Sequence, residues 1–378
     1  MQLNADMEQY LRASEEELKE LVRQLCAIPA PSHHEEGRAA FCLRWFQENG
    51  GTDAFIDEAN NVLCPFHVTE TNPVSVFMAH MDTVFPDTTP LPMREENGIL
   101  WCPGACDDTA SLAILMICAR YVLKTGHAGD NGLVFVANSC EEGLGNLKGS
   151  RAVCARYGSR MTTFVTLDTP LLGELVDRTV GSHRYRLTVR TEGGHSLSDF
   201  GNRNAIHVLA SMIDVLYTVK VPQDGDSVTT YNVGKISGGT SVNTIAQEAS
   251  MLYEYRSDSR VCMEQMNTLF FQLAEAFRAT GVEIEMEKIG DRPCAGDVDP
   301  IKQAALADRA AAAIRDTLQM EAPRRSGSTD CNIPMSMGIP SVCIGVCNGS
   351  GCHTRGESLD LSSLLPGSRL FLRFLLDF

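Results

Sequence analysis

Basic residues are scarce: 32 lysines and arginines stand against 48 aspartates and glutamates, a net charge of −16. That balance argues against nucleic acid and anionic membranes as partners. Long apolar runs are missing too. The longest, around Ala110 to Val122, contains Arg120 and has the length of a buried helix, not of a bilayer span. The stretch Met1-Gln-Leu-Asn-Ala-Asp-Met-Glu8 has neither the basic nor the apolar segment of a secretory signal, so a cytoplasmic protein is expected. The 14 cysteines include no Cys-x-x-Cys pair; the closest spacings are Cys102/Cys106 and Cys343/Cys347. Scattered through a long chain, they read as reduced thiols. A zinc cluster of Cys343, Cys347, Cys352 and His353 competes with that reading, but Cys343 sits inside an apparent strand. Repeats, low-complexity tracts and long flexible linkers are also lacking.

What is present is an ordinary globular composition, 44% hydrophobic and 21% charged, over 378 residues. That length exceeds what one hydrophobic core usually fills, so two domains are expected. The run Val74-Ser-Val-Phe-Met-Ala-His80-Met-Asp82 reads as a strand buried on both faces of a parallel sheet. It ends on His80 and Asp82, two residues apart and so on the same side of an extended chain. Ligands bind at that carboxyl rim in open α/β sheets.

Taken in order, Ser14-Glu-Glu-Glu17 forms a capping-box pattern before a helix that stops short of Pro29. Ser32-His-His-Glu35 repeats the pattern before a helix ending at Asn49-Gly-Gly51. Asp107 and Asp108 fall in the loop at the amino end of a helix from Ala110 to Leu123. Further buried strands cover Gly132 to Ser139, Thr163 to Asp168 and Ile339 to Val346. They lead into Glu141-Glu142, Asp168 and His353-Thr-Arg-Gly-Glu357. Four apolar strands thus end on metal-ligand residue types.

From about Gly181 to Gly290 the pattern changes to half-exposed strands at Arg184 to Arg190, Ser227 to Ile236, Glu248 to Arg256 and Val282 to Ile289. Helices at Asn204 to Tyr217 and Val261 to Ala279 separate them. This β-α-β-β-α-β order is ferredoxin-like. The expected architecture is therefore α/β, a mixed, mainly parallel sheet flanked by helices, with an inserted ferredoxin-like α+β domain. Residues 1–180 and 291–378 form the discontinuous larger domain, and 181–290 the insert.

Convergence of the strand ends would build a two-metal site. His80 and His353 would each supply an imidazole to a different ion, Asp107 would bridge, and Glu142 and Asp168 would be terminal carboxylates. Such a nitrogen and oxygen set suits zinc, with cobalt or manganese as substitutes. Two ions about 3.5–4 Å apart activate water and polarise a carbonyl. Glu141 is the candidate base, since its side chain points away from that of Glu142 on an extended segment. Asp82 would orient the His80 ring from behind. Taken singly, each feature has a plain structural explanation: an exposed acidic turn, a helix N-cap pair, a loop histidine. Jointly those explanations are poor.

These motifs resemble the dinuclear zinc peptidases and amidohydrolases that include carboxypeptidase G, aminoacylase, acetylornithine deacetylase and aminopeptidase T. His80-Met-Asp82 resembles the family's H-x-D, Pro103-Gly-Ala-Cys-Asp107-Asp108 its G-x-x-D-D loop, Glu141-Glu142 its E-E pair, and His353-Thr-Arg-Gly-Glu357 its final H-T-x-x-E. Asp168 matches a position held by Asp or Glu. The resemblance spans nearly the whole chain and implies the roles just given, together with a non-proline cis peptide after Asp107. It also implies that the insert is a lid and dimerisation domain. Gly193-Gly194-His195-Ser196 matches a G-x-H-S motif whose histidine crosses the dimer and stabilises the oxyanion. Asn243 and Arg256 match substrate-contacting positions, and Ser326-Gly327-Ser-Thr-Asp330 an S-G-x-T-D segment near the substrate termini. His195 could otherwise be a structural or exposed histidine, and Arg256 one half of a surface ion pair. Two departures, Thr109-Ala110 where a lysine is common and Asn243-Thr-Ile-Ala246 without the usual proline, bear on substrate choice.

The reading that follows is hydrolysis of an amide bond by metal-activated water in a homodimer. Members with Asp at the Asp168 position tend to be aminopeptidases and dipeptidases, so the resemblance points to an exopeptidase on di- or tripeptides. An N-acyl amino acid deacylase or carboxypeptidase is the alternative. A non-catalytic metal-binding scaffold would have lost a ligand or the base, and this sequence keeps them. A cysteine hydrolase using Cys140 would need a nearby imidazole.

Overall fold

Val74–His80 and Gly132–Asn138 are mostly apolar, without polar alternation, and every residue of both is buried. Strands of that kind need helices on both faces. The computed structural model describes residues 3–126, 129 and 131–378. The chain divides into two units, Met1–Thr179 with Gly296–Phe378, and Val180–Ala295.

In the first unit these strands lie inside an eight-stranded sheet. Its spatial order is Phe55–Ile56, Val62–Phe66, Gly132–Asn138, Val74–His80, Met161–Thr166, Ser341–Ile344, Leu175–Thr179 and Arg324–Gly327. The four from Gly132–Asn138 to Ser341–Ile344 are parallel, so their carboxyl ends share one rim. Val62–Phe66 and Leu175–Thr179 flank them antiparallel. The helix Ala110–Thr125 packs on Val74–His80. Phe77 of that strand meets Phe371 and Phe378 edge-on at 6.0 and 5.2 Å. Among the described residues no helix is long and apolar enough to cross a membrane.

Both capping boxes read from the sequence fail in detail. The helix Glu15–Cys26 begins after Ser14, but the Ser14 side chain makes no cap bond. Its hydroxyl accepts from Arg120 at 3.1 Å, and that guanidinium also binds Glu17 and Tyr10. A buried cation needs acceptors more than a solvated helix end does. The second helix, Glu36–Glu48, starts at Glu35 without a side-chain cap, because the Ser32 hydroxyl turns to Asp82 instead. A first helix, Ala5–Ala13, was not anticipated; the Asn4 side chain accepts from Met7 N at 2.9 Å to cap it.

A small antiparallel sheet decides how two site loops meet. Its order is Asn348–Ser350, Ser358–Asp360, Ile99–Trp101 and Arg94–Glu96. The register Ser358↔Trp101 sets the turn that holds His353 and Glu357 beside the segment leading to Asp107.

The second unit is a four-stranded antiparallel sheet in the order Thr229–Gly238, Glu248–Ser257, Gly181–Arg190 and Glu283–Arg292. With the helices Ala205–Tyr217 and Arg260–Arg278 it has the ferredoxin-like order. Glu248–Ser257 alternates buried with partly exposed positions, as a strand covered on one face should. Tyr253 packs on Phe270 with ring centroids 4.6 Å apart. A bulge at Lys288/Gly290 lets the last strand run on to Arg292, past the expected Ile289.

Candidate metal centre

The parallel rim gathers the side chains that the sequence singled out. His80 closes its strand opposite Asn138, and its Nε2 lies 3.1 Å from Asp107 Oδ1 and 3.9 Å from Asp168 Oδ1. The other oxygen of Asp107 lies 3.2 Å from His353 Nε2, which is also 3.1 Å from Glu142 Oε1. Asp107 thus offers one oxygen to each imidazole, the disposition a bridging carboxylate needs. Among the described residues two groups each hold donor atoms mutually within 4.8 Å: His80, Asp107 and Glu142 in one, and His80, Glu141 and Asp168 in the other. Glu141, read from the sequence as the base, therefore lies within reach of a ligand group as well. The peptide bond joining Asp107 to Asp108 is cis.

Charge is what makes this arrangement suit cations. Asp82, Asp107, Asp108, Glu141, Glu142, Asp168 and Asp330 crowd around two imidazoles. Burial pushes the Glu142 carboxyl up to about 7, and burial with repulsion from Glu141 and Asp107 raises Asp168 well above its ordinary range. Hydrogen bonds donated to Asp107 and Glu142 push the His353 imidazole up to about 11. For Asp107 burial acts upward, but the bonds from His353 and His80 outweigh it and hold the carboxyl low. Protons thus collect where divalent cations would neutralise the same carboxylates. The residues fit a two-cation site of nitrogen and oxygen donors.

The shell behind these groups is built from backbone. Asp82 is fully buried; its Oδ1 accepts Glu141 N at 3.0 Å, and its Oδ2 accepts Glu142 N at 3.0 Å and the Ser32 hydroxyl at 2.6 Å. It therefore clamps the Glu-Glu backbone, while His80 Nδ1 bonds the main-chain oxygen of Asp82 at 3.0 Å. An Nδ1 proton donated there leaves the Nε2 lone pair for a metal. Arg38, buried, donates to Met81 O at 2.7 Å, between His80 and Asp82.

Other supporting residues escaped the sequence reading. Glu357 accepts the amides of Gly104, Cys106 and Asp107 at 2.8, 2.9 and 3.2 Å and so holds the Asp107 loop. Its place in His353-Thr-Arg-Gly-Glu357 was the available signal. Asp330 accepts from Asn138 Nδ2 at 2.6 Å, and burial with repulsion from Glu141 raises its carboxyl well above normal. Cys140 does have an imidazole beside it, with His33 Nδ1 3.3 Å from its sulfur, yet burial pushes that thiol up to about 12. A nucleophilic thiolate is disfavoured there. The four residues of the cysteine cluster considered from sequence do not form a donor group, among the described residues.

Of the remaining candidates, Ser326 and Gly327 end the edge strand Arg324–Gly327 of the first unit. His195, Asn243 and Arg256 belong to the second. There the short ladder Gly194–His195 with Thr244–Ile245 brings His195 beside Asn243, whose carbonyl accepts Ser196 N at 3.0 Å. His195 Nδ1 accepts the amides of Leu197 and Ser198 at 3.2 and 3.3 Å, which leaves the proton of a neutral ring on Nε2. Arg256 forms a two-pronged pair with Glu254 at 3.0 and 3.1 Å on its own strand.

Comparison with known proteins bears on the family and the fold. The peptidase family M20/M25/M40 matches residues 76–377. A succinyl-diaminopimelate desuccinylase of Bordetella petrii is 25% identical over 322 residues, 80% of this chain and 82% of that protein. A tripeptidase of Staphylococcus aureus superimposes with a TM-score of 0.75 at 22% identity, over 95% of this chain and 97% of the other. An aminopeptidase of Bacillus cereus does so with a TM-score of 0.72 at 21% identity, over 96% and 98%. The two solved structures establish likeness of fold.

Proposed function

Since the chain belongs to the peptidase family M20/M25/M40 and is a metal-dependent amide hydrolase, we propose that it removes a terminal residue from short peptides, working as a homodimer around two zinc ions. The observation that carries the reading is the split of Asp107, one oxygen towards His80 and the other towards His353. His80 with Asp168, and His353 with Glu142, would hold one ion each. When bound, such a pair of cations lowers the pKa of water and polarises a carbonyl.

The chain's own residues supply the rest. Glu141, held at its amide by Asp82, takes the proton of the attacking water and delivers it to the leaving amine. Asp82 keeps Glu141 and Glu142 in fixed relation. His195 carries on Nε2 the proton that a donor to the oxyanion requires. Asn243, Arg256, Ser326 and Gly327 are proposed to contact the substrate. For the dimer, the support is the edge strand Thr229–Gly238 and the exposed Ile206, Val215 and Tyr217 of the helix Ala205–Tyr217.

The tripeptidase and aminopeptidase neighbours favour an exopeptidase. The desuccinylase relative favours a second reading, release of an acyl group from an N-acyl amino acid. One panel separates them: a tripeptide, an N-succinyl and an N-acetyl amino acid, and an acyl peptide ending in glutamate, each offered to zinc-loaded protein. Turnover of the tripeptide is expected. Turnover of the acyl amino acids alone would replace the first reading by the second.

A further inference from the structure

Among the described residues thirteen cysteines are buried, and Cys352 alone is partly open to solvent. Its sulfur lies 3.6 Å from that of Cys106. The two stand on different loops, brought together where Ile99–Trp101 pairs with Ser358–Asp360. Each immediately precedes a proposed ligand, Cys106 before Asp107 and Cys352 before His353. Room for the Cys106 sulfur exists because residue 349 is glycine; a Cβ there would come within 2.4 Å of it. The Cys106 thiol also reaches Glu357 Oε1 at 3.3 Å, the oxygen that holds the Cys106 amide at 2.9 Å. A solvent-reachable thiol, a buried partner in contact with it and two ligand loops joined through them make a site for oxidation.

We propose that Cys352 and Cys106 form a disulfide when the protein meets a low-molecular-weight disulfide such as oxidised glutathione, and that this bond turns the metal centre off. In the first step the Cys352 sulfur attacks one sulfur of the oxidant; its S–S bond breaks, one thiol leaves with the Cys352 proton, and a mixed disulfide remains on Cys352. In the second the Cys106 thiol, itself held protonated by the Cys352 sulfur beside it and by burial, hands its proton to Glu357 Oε1 at 3.3 Å as its sulfur attacks the Cys352 sulfur; the mixed disulfide breaks, and the second small thiol leaves with that proton. Two protein thiols are oxidised and one small disulfide is reduced to two thiols. A disulfide is about 2.05 Å long, so the sulfurs must close by about 1.5 Å and draw the backbones next to Asp107 and His353 with them. A shift of about 1 Å in a reacting group costs on the order of 100-fold in rate. Cys106 also gives up its thiol bond to Glu357.

The effect on catalysis rests on the reading of this centre as a hydrolase; bond formation does not. The test treats the zinc-loaded full chain with oxidised glutathione and follows three readouts: non-reducing peptide mass mapping, zinc released to a chromophoric chelator, and hydrolysis of the substrate panel. The expected result is a Cys106–Cys352 cross-linked peptide, release of zinc and at least a tenfold fall in hydrolysis, all reversed by dithiothreitol with added zinc. C352S should keep the untreated rate and be indifferent to the oxidant. C106S should stop at the glutathione adduct on Cys352. Absence of the cross-link, a cross-link that leaves zinc and hydrolysis unchanged, or equal inactivation of C352S would each overturn the proposal. A protein that hydrolyses nothing in the panel but forms the cross-link and sheds zinc would fail the hydrolase reading and keep the switch at the metal centre.

Discussion

Asp82→Asn exposes most directly how the site is held. The carboxylate is fully buried and accepts Glu141 N, Glu142 N and the Ser32 hydroxyl at 3.0, 3.0 and 2.6 Å, with His80 Nδ1 3.5 Å away. Burial alone would raise its pKa, but His80, Ser32 and the Glu142 amide outweigh that and hold it below the ordinary value. The native state therefore prefers the charged form. An isosteric amide must turn its NH2 group towards one of the two backbone amides, leaving a buried donor unsatisfied at about 1–3 kcal/mol. The two bonds that remain lose their charge assistance, roughly 0.5–1 kcal/mol each. The expected loss is about 2–5 kcal/mol, read from urea unfolding of chelator-treated protein as a lower midpoint at unchanged slope. Because the folded pKa is lowered, the contribution is complete above the unfolded carboxylate value and fades as pH falls through the folded one. The gap between parent and variant should accordingly narrow in acid. A variant within about 0.5 kcal/mol of the parent at neutral pH would refute the clamp, since ordinary surface substitutions change stability by that much.

Three further outcomes follow from the same geometry. Glu141→Ala should keep near-normal zinc content by elemental analysis while hydrolysis falls about 10²–10⁴-fold; an unchanged rate would remove Glu141 from the base role, and a loss of zinc would make it a ligand. Chelation should lower the melting temperature, since two sites held at 100 times their Kd contribute about 5 kcal/mol in total, roughly 10 °C for a unit of this size; calorimetry giving one melting temperature with and without zinc would contradict a metal centre. Phe77→Ala removes a fully buried ring packed on Phe371 and Phe378 and should cost about 3–5 kcal/mol by urea unfolding, with a loss under about 1 kcal/mol counting against that packing.

The fold class was legible before any coordinates because its signals are local. A seven-residue, fully buried and mostly apolar run such as Val74–His80 is satisfied between two helical layers. The alternation along Glu248–Ser257 equally marks a sheet with one covered face. The gathering of the proposed ligands was legible too, since a histidine or carboxylate directly after such a strand lands on the rim shared by its parallel neighbours. Capping was misread at Ser14 and Ser32, because a competing partner far away in sequence, Arg120 or Asp82, took the side chain.

The amino-acid order by itself therefore singled out the residues proposed as ligands and base, and the two kinds of sheet that would carry them. It left open what stands behind them. Asp82 gripping the Glu141 and Glu142 amides, Glu357 holding the loop of Asp107 across 250 residues, Asp330 on Asn138, and the contact of Cys106 with Cys352 were decided by tertiary structure alone. The physical reason is that each is a hydrogen bond or contact between segments far apart in sequence that the sheets bring together, and register, such as Ser358 opposite Trp101, is set by the summed packing of whole strands and not by the residues that profit from it.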